Sequence, residues 1–481
     1  MAAPLLLIGD HPLLDSMQAG ERKVVWPGGV EPSVYRCMIA FREDGGDGFN
    51  QDSEALTRLK DMLAGRESSL LVEILVHDTA SIALFEHSDL NNVEFMPFTL
   101  AGRWAETLLG PGGPVRLDGE GISYEDNRKV RLVLFGMTPA SEALAVETLK
   151  IAHFPNYVRD HSLRTRITWI GSDAPEFGNR FVSRYKSLMD ASYYSFIDLE
   201  TGQYNLHKPD YEGRMEDFVD VEWEFVHSAG LKENLRTKLK DWSEATSEWR
   251  TVVVFAMRED NKNIEYYRFL KDSLVVVPVL LHIGDDSLVK ASGLEVIPFG
   301  MPWGFNDNTL LNRRIAMAVN EVYTLTARYK RIPDALDMAE AGRLWAELPG
   351  RRRRESLDNA RSMASRLLPA GMQAHGRKDL RIIDDGVMAR LAEVEHNRWT
   401  MVTLLSGMRP ATVEEQKVVE MDIKQKRLLI SRGIHYDLRP YSDLRADETG
   451  NDTRIYDIAM VRCLPLIASA VSDCKLFLNL S

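Results

Sequence analysis

The chain has 481 residues, 44% of them hydrophobic and 27% charged. That is too apolar for a disordered polymer and long enough for two to four domains of about 150 residues each. The net charge of −12 excludes a protein built mainly to coat nucleic acid, so no nucleic-acid partner is expected. The charge is uneven: residues 331–481 carry 24 Lys+Arg against 22 Asp+Glu, while the remainder carries 35 against 49. An anionic ligand therefore meets less repulsion in the C-terminal third. Cys37, Cys463 and Cys474 are too few and too scattered for a disulfide framework, and none sits in a C-x-x-C pair. No apolar run reaches the ~20 residues that cross a bilayer. The longest, Ser273 to Ile283, contains Pro278 and reads as a buried strand. The opening MAAPLLLIGDHP lacks the basic start of a secretory signal, so a cytoplasmic location without direct membrane insertion is expected.

The patterning predicts an α/β protein: a doubly wound, parallel, Rossmann-like sheet, preceded by a small α/β unit and followed by a mostly α-helical region. Residues 1–115 form the small, partly Rossmann-like unit. Its strands are expected at Leu5–Ile8, Val34–Phe41, Leu70–His77 and Val93–Phe98, and its helix at Gln51–Ala64. Gly45–Gly48 marks a loop and Gly110–Gly113 a boundary. Residues 128–325 carry six further strand candidates: Val130–Phe135, Arg166–Ile170, Val219–Val226, Thr251–Met257, Leu274–Ile283 and Leu294–Phe299. A helix is expected at Glu142–His153. Residues 331–380 read as a helical connector, with helices at Ala335–Leu348 and Glu355–Leu368; the Arg351–Arg354 run opens the second as a solvated start. Residues 381–481 form the last unit, with a long helix at Ile382–Leu405 and another at Thr453–Ser469, preceded by the capping residues Asn451-Asp452-Thr453.

A dinucleotide-binding turn carries glycine in the pattern G-x-G-x-x-G. Here the pattern after Phe135 is Gly136-x-Thr138-x-x-Ser141. The segment VRLVLFGMTPASEALAVETLKIAHFP, followed by RITWIGSDA, resembles the NAD-binding domain of TrkA-N type found in potassium-transport regulators. In that family an acidic residue ends the second strand and binds ribose; Gly171 stands there, with Asp173 two residues on. Gly136, Thr138, Ser141 and Asp173 are thus the candidate cofactor residues. With two glycines and the acid replaced, NAD is not expected, although a helix start at Ser141 offers free N–H groups to a phosphate. The resemblance implies a domain that dimerises, transmits a signal or holds a second ligand, in a homodimer.

The C-terminal unit contains Leu391-Ala-Glu-Val-Glu-His-Asn-Arg-Trp399, then Gly407, then His435-Tyr-Asp-Leu-Arg-Pro-Tyr441-Ser-Asp-Leu444, then Asn451. This order resembles the ryanodine receptor repeat (RyR) domain in its bacterial form. It departs from the family at Met408, at Arg409-Pro410 and at Tyr436. The resemblance implies a pocket for an adenine nucleotide bounded by Trp399, His435 and Asn451. From their chemistry, Glu395, His396 and Tyr441 join the candidates: a ring beside a carboxylate and an imidazole can stack a base and accept from its amine. Arg398, Arg409 and Arg432 can neutralise phosphates. Plainer readings remain open. Trp399 can be core, Asn451 a helix cap, Pro440 and Tyr441 loop anchors, and His396 the partner of a backbone carbonyl.

No H-E-x-x-H, G-x-S-x-G or P-loop pattern occurs, and the eleven histidines lack metal spacing. No catalytic or metal residues are assigned. Asp10-His11 and His77-Asp78 read as turns, and Glu222-Trp223-Glu224 as an acidic strand without a clear partner. The expectation is a regulatory sensor, not an enzyme, that requires no cofactor and takes an adenine-type nucleotide. The alternatives are a soluble regulator of potassium or other ion transport with a membrane channel as partner, a scaffold that binds protein only, and an NAD-dependent enzyme.

Overall fold

The computed structural model describes residues 5–17, 21–43, 47–86, 88, 90, 92–110, 112–209, 219–244, 248–274, 277–285, 287–302, 309–363, 385–422, 424–444 and 452–471. The first sheet comprises β1 (Leu5–Ile8), β2 (Glu21–Lys23), β3 (Arg36–Ile39), β4 (Leu70–Leu75) and β5 (Val93–Phe98). Its order is β2-β1-β3-β4-β5, and every pairing is parallel. Helix α1 (Gly48–Leu63) and the short α2 (Ile82–Glu86) join these strands. Near-continuous apolar stretches such as LLVEIL in β4 are what a strand buried on both faces requires. The one charge in that stretch, Glu73, is fully buried. Its carboxylate accepts from Arg36 Nε at 2.7 Å, from Arg103 Nη2 at 3.2 Å and from Thr309 Oγ1 at 2.8 Å.

Helix α3 (Leu100–Leu109) leads to the second sheet: β6 (Lys129–Phe135), β7 (Thr165–Gly171), β8 (Tyr193–Asp198), β9 (Tyr204–His207), β10 (Val221–His227), β11 (Trp249–Phe255), β12 (Val279–His282) and β13 (Ile297–Phe299). The strand order is β13-β12-β11-β6-β7-β10-β8-β9, parallel except for the edge strand β9. The six strands read from the sequence are β6, β7, β10, β11, β12 and β13. They lie side by side, and the β8–β9 hairpin extends the sheet beyond β10.

Helices cover both faces. Between the strands run α4 (Pro139–Ile151), α5 (Pro155–Arg159), α6 (Ala174–Arg184), α7 (Lys186–Asp190), α8 (Glu233–Ser243), α9 (Asp260–Leu270) and α10 (Ser287–Ser292). Leu132 and Leu134 of β6 share a core with Leu144 and Leu149 of α4. Val133 and Phe135 point the other way, into a core with Leu235 of α8 and Leu270 of α9. The acidic strand β10 finds partners across the sheet. Glu224 binds Arg131 Nη1 at 3.2 Å and Arg166 Nη1 at 3.0 Å, and Arg131 lies 3.9 and 4.2 Å from the Trp242 and Trp249 ring centres.

A helical layer follows: α11 (Thr309–Tyr329), α12 (Met338–Ala346), α13 (Gly350–Arg361), α14 (Asp385–Leu405), α15 (Val413–Met421), α16 (Gln425–Ser431), α17 (Arg454–Arg462) and α18 (Leu464–Ala470). The strands β14 (Arg409–Pro410) and β15 (Ile434–His435) form a small parallel pair within it. The arginine run lies inside α13 rather than before it. The last expected helix is two, divided at Cys463, because Pro465 cannot continue the first. Met401 and Leu404 of α14 join the α4 core, while Met388 and Leu391 join α11, α12 and α17. Among the described residues, no helix is long and apolar enough to cross a membrane, and Cys37 and Cys463 are buried free thiols.

Candidate functional site

Helix α14 turns 100° per residue, so Glu395 and Arg398 lie one turn apart on one side of it, and His396 and Trp399 make a second such pair. Glu395 is fully buried. Arg398 grips it through Nε at 2.9 Å and Nη2 at 2.7 Å, and Asn359 of α13 donates to it at 2.8 Å. Glu395 and Arg398 thereby satisfy each other inside the protein and serve the packing of α13 on α14. The sequence reading of Glu395 as a base acceptor and Arg398 as a phosphate partner is corrected on this point.

His396, Trp399, His435 and Tyr441 form a chain of ring contacts. The His396 ring centre is 5.5 Å from Trp399 and 5.6 Å from Tyr441, and His435 meets the indole edge-on at 4.8 Å and 72°. Buried His396 donates through Nε2 to the Arg439 carbonyl at 2.9 Å, and its Nδ1 lies 3.4 Å from Asp457 of α17. Burial alone lowers its pKa, but the Asp457 carboxylate and the Arg439 carbonyl outweigh it and hold the value above the ordinary one. His435 goes the opposite way. Burial, helped by Lys426, Arg352 and Arg351 and opposed by Asp437, pushes it down to about 4. Its Nδ1 accepts from the Asp437 N–H at 3.3 Å, so the neutral ring carries its proton on Nε2. Burial and the nearby Asp457 raise the Tyr441 phenol, which stays protonated. The Trp399 indole is only half-buried.

The remaining candidates divide. Arg409 is held by Glu415 through two bonds of 2.9 and 2.8 Å and by the Pro410 carbonyl at 2.9 Å. It is a strut between β14 and α15. Arg432 is exposed at the end of α16. Asn451 lies outside the described residues. Arg351 and Arg352, which the sequence reading left in solvent, join Lys426 as cations whose field reaches His435. Their proximity comes from the packing of α13 and is not visible in the local sequence.

No protein-family model, no curated protein and no solved structure matches this chain.

The turn after β6 is self-contained. Gly136 has φ +94°, and a Cβ there would lie 2.7 Å from the Ala256 carbonyl oxygen. Helix α4 begins at Pro139, three residues earlier than expected, because Thr138 is its cap. The Thr138 N–H donates to Ser141 Oγ at 3.0 Å, the Ser141 N–H donates to Thr138 Oγ1 at 3.4 Å, and the Thr138 hydroxyl donates to the Ala256 carbonyl at 2.7 Å. The Ser141 N–H expected to be free for a phosphate is therefore used. At the end of β7, a Cβ on Gly171 would lie 3.2 Å from Asp173 Oδ1 and 3.3 Å from the Met137 methyl, so this chain's own side chains occupy that corner.

A feature the sequence reading missed is a cavity of about 730 Å³ beyond the carboxyl ends of β4 and β5, closed by α3, α4 and α13. Its walls come from residues more than 200 positions apart, such as Pro97 and Arg361, so no local motif announces it. Among the described residues, no group of three or more His, Cys, Asp or Glu is placed to hold a metal ion.

Proposed function

We propose that this chain is a cytoplasmic, ligand-sensing regulatory protein whose RyR-like C-terminal module takes an adenine-type nucleotide or derivative, without chemistry. One observation carries the reading. The half-buried Trp399 indole stands beside His435, which is neutral with an Nε2 donor, and beside His396, which in turn meets Tyr441, a phenol that keeps its proton. A flat base stacks on the indole, accepts from His435 and meets the phenol. Its phosphates face the field of Arg351 and Arg352, whose side chains are 49% and 67% exposed.

The strand order β13-β12-β11-β6-β7-β10 supports a Rossmann-like reading of residues 128–325, because strands run outward on both sides of the β6–β11 pair. The occupied turn at Thr138 and Met137 supports a structural or dimerising role for that region rather than NAD binding. The protein acts as a homodimer in this reading.

Titration calorimetry with ATP, cyclic AMP and ADP-ribose tests it. Base stacking on an aromatic side chain is worth about 1–3 kcal/mol, so Trp399→Ala weakens binding by about 5- to 150-fold, and His435→Ala weakens it as well. Absence of binding by the wild type, or binding unchanged in both variants, overturns the reading.

A further inference from the structure

The cavity between the two sheets has an unbalanced wall. Where α3, α4 and α13 meet, Glu106, Glu147 and Asp358 surround Lys150 and Arg361. Lys150 Nζ lies 2.9 Å from Asp358 and 3.8 Å from Glu147 Oε2. Arg361 lies 2.8 Å from Glu106 and 3.4 Å from Asp358. Three carboxyl groups thus meet two cations. Glu147 lines the cavity, its residue is 3% exposed, and its Oε1 has no hydrogen-bond partner among the described residues. Among the neighbouring cations, Arg354 is paired with Glu86 and Arg184 with Glu142, and Arg103 shares Glu73 with Arg36, so the local shortfall is that of a donor to Glu147 Oε1.

A buried carboxylate oxygen without a donor keeps the whole cost of leaving water. Two things can restore balance, a proton on Glu147 or a cation with N–H groups. Burial pushes the Glu147 carboxyl above the usual carboxylate range, against the pull of Lys150 and Arg361, while Glu106 and Asp358 reinforce the rise. The apolar part of the wall, including Ala143, Val146, Leu357 and Phe98, suits an aliphatic body.

We propose that this cavity is a second ligand site, for a small primary amine whose ammonium group hydrogen-bonds to Glu147 and supplies the missing donor. Rotation about the last side-chain bond of Glu147 turns Oε1 to the ligand. The ammonium displaces the carboxyl proton, so binding releases a proton and tightens as pH rises. The site is separate from Trp399 and does not rest on nucleotide binding there.

The test is calorimetry on the full chain with n-butylammonium and putrescine as probes, at constant ionic strength and in two buffers of different ionisation enthalpy. Saturable binding is expected, with a heat that differs between buffers by the amount one released proton demands. Glu147→Gln, which mimics the protonated side chain and keeps the fold, weakens binding at least tenfold and removes the buffer dependence. Trp399→Ala leaves amine binding unchanged. Tetramethylammonium, a cation without N–H groups, does not bind. No saturable heat with either amine, equal affinity in Glu147→Gln, loss of amine binding in Trp399→Ala, or equal binding of tetramethylammonium each overturns the proposal.

Discussion

His435 and His396 both meet the Trp399 indole and respond oppositely to acid. In the folded protein His435 holds its proton less tightly than in the unfolded chain, about 4 against 6.5. The unfolded state therefore binds the extra proton first, and stability falls as pH drops from about 6.5 toward 4. A displacement of this size corresponds to about 3 kcal/mol, at about 1.4 kcal/mol per pH unit. His396 is raised, so its contribution is complete below its unfolded value and fades as pH climbs through its folded one. Replacing His435 by Gln isolates the acid-side effect: the melting temperature of His435→Gln should fall less between pH 7 and pH 4.5 than that of the wild type. Parallel melting curves across that range would show that His435 is solvated rather than held neutral by burial.

At the scale of elements, the cap of α4 joins two strands. The Thr138 hydroxyl accepts within the helix start and donates across to the carbonyl after β11, so it ties β6–α4 to the neighbouring strand. Loss of an N-cap side chain costs about 0.5–2 kcal/mol, and the lost bond to Ala256 adds about 1 kcal/mol. Thr138→Ala should lower the urea midpoint accordingly with an unchanged m-value; a midpoint within error of wild type would remove the cap from the account.

The sequence showed β6, β7, β10 and β11 because strands buried on both faces are rich in β-branched and aromatic residues. It did not show the β8–β9 hairpin, where Tyr204 and Leu206 are exposed and an edge strand carries little apolar pattern. Strand β2 is three residues, Glu-Arg-Lys, with no apolar signal at all. The pattern places the arginine run as a solvated opening of α13, whereas the run lies within the helix and Arg353 folds back on the Trp345 carbonyl. The His396–Trp399 relation was legible because both lie one turn apart on one helix. The capture of Glu395 by Asn359 was not, because the partner comes from a different helix.

Across the whole molecule, the first sheet is fastened to the helical layer by buried charges, alongside the apolar contact that Met96 of β5 makes with the helical core. Glu73 of β4 binds Arg103 of α3 and Thr309 of α11. Glu94 of β5 binds Arg313 of α11 at 2.6 and 2.9 Å and the Trp345 indole N–H at 2.9 Å, and Glu86 binds Arg354 of α13. Such contacts are specific in geometry but give little net stability over apolar packing, while removal of one partner strands the other in the interior. Glu73→Ala leaves Arg36, itself 5% exposed, without its carboxylate and should cost about 3–5 kcal/mol. Because Glu73 is also the link to α3 and α11, the loss should fall on the first sheet and its attachment. Calorimetric scanning of Glu73→Ala is expected to show an early transition that separates from the main one, with amide exchange accelerated in β3 and β4 before β6 and β7. A single transition shifted as a whole, with uniform exchange, would mean that the first sheet and the rest unfold as one unit and that the ionic fastening is not what joins them.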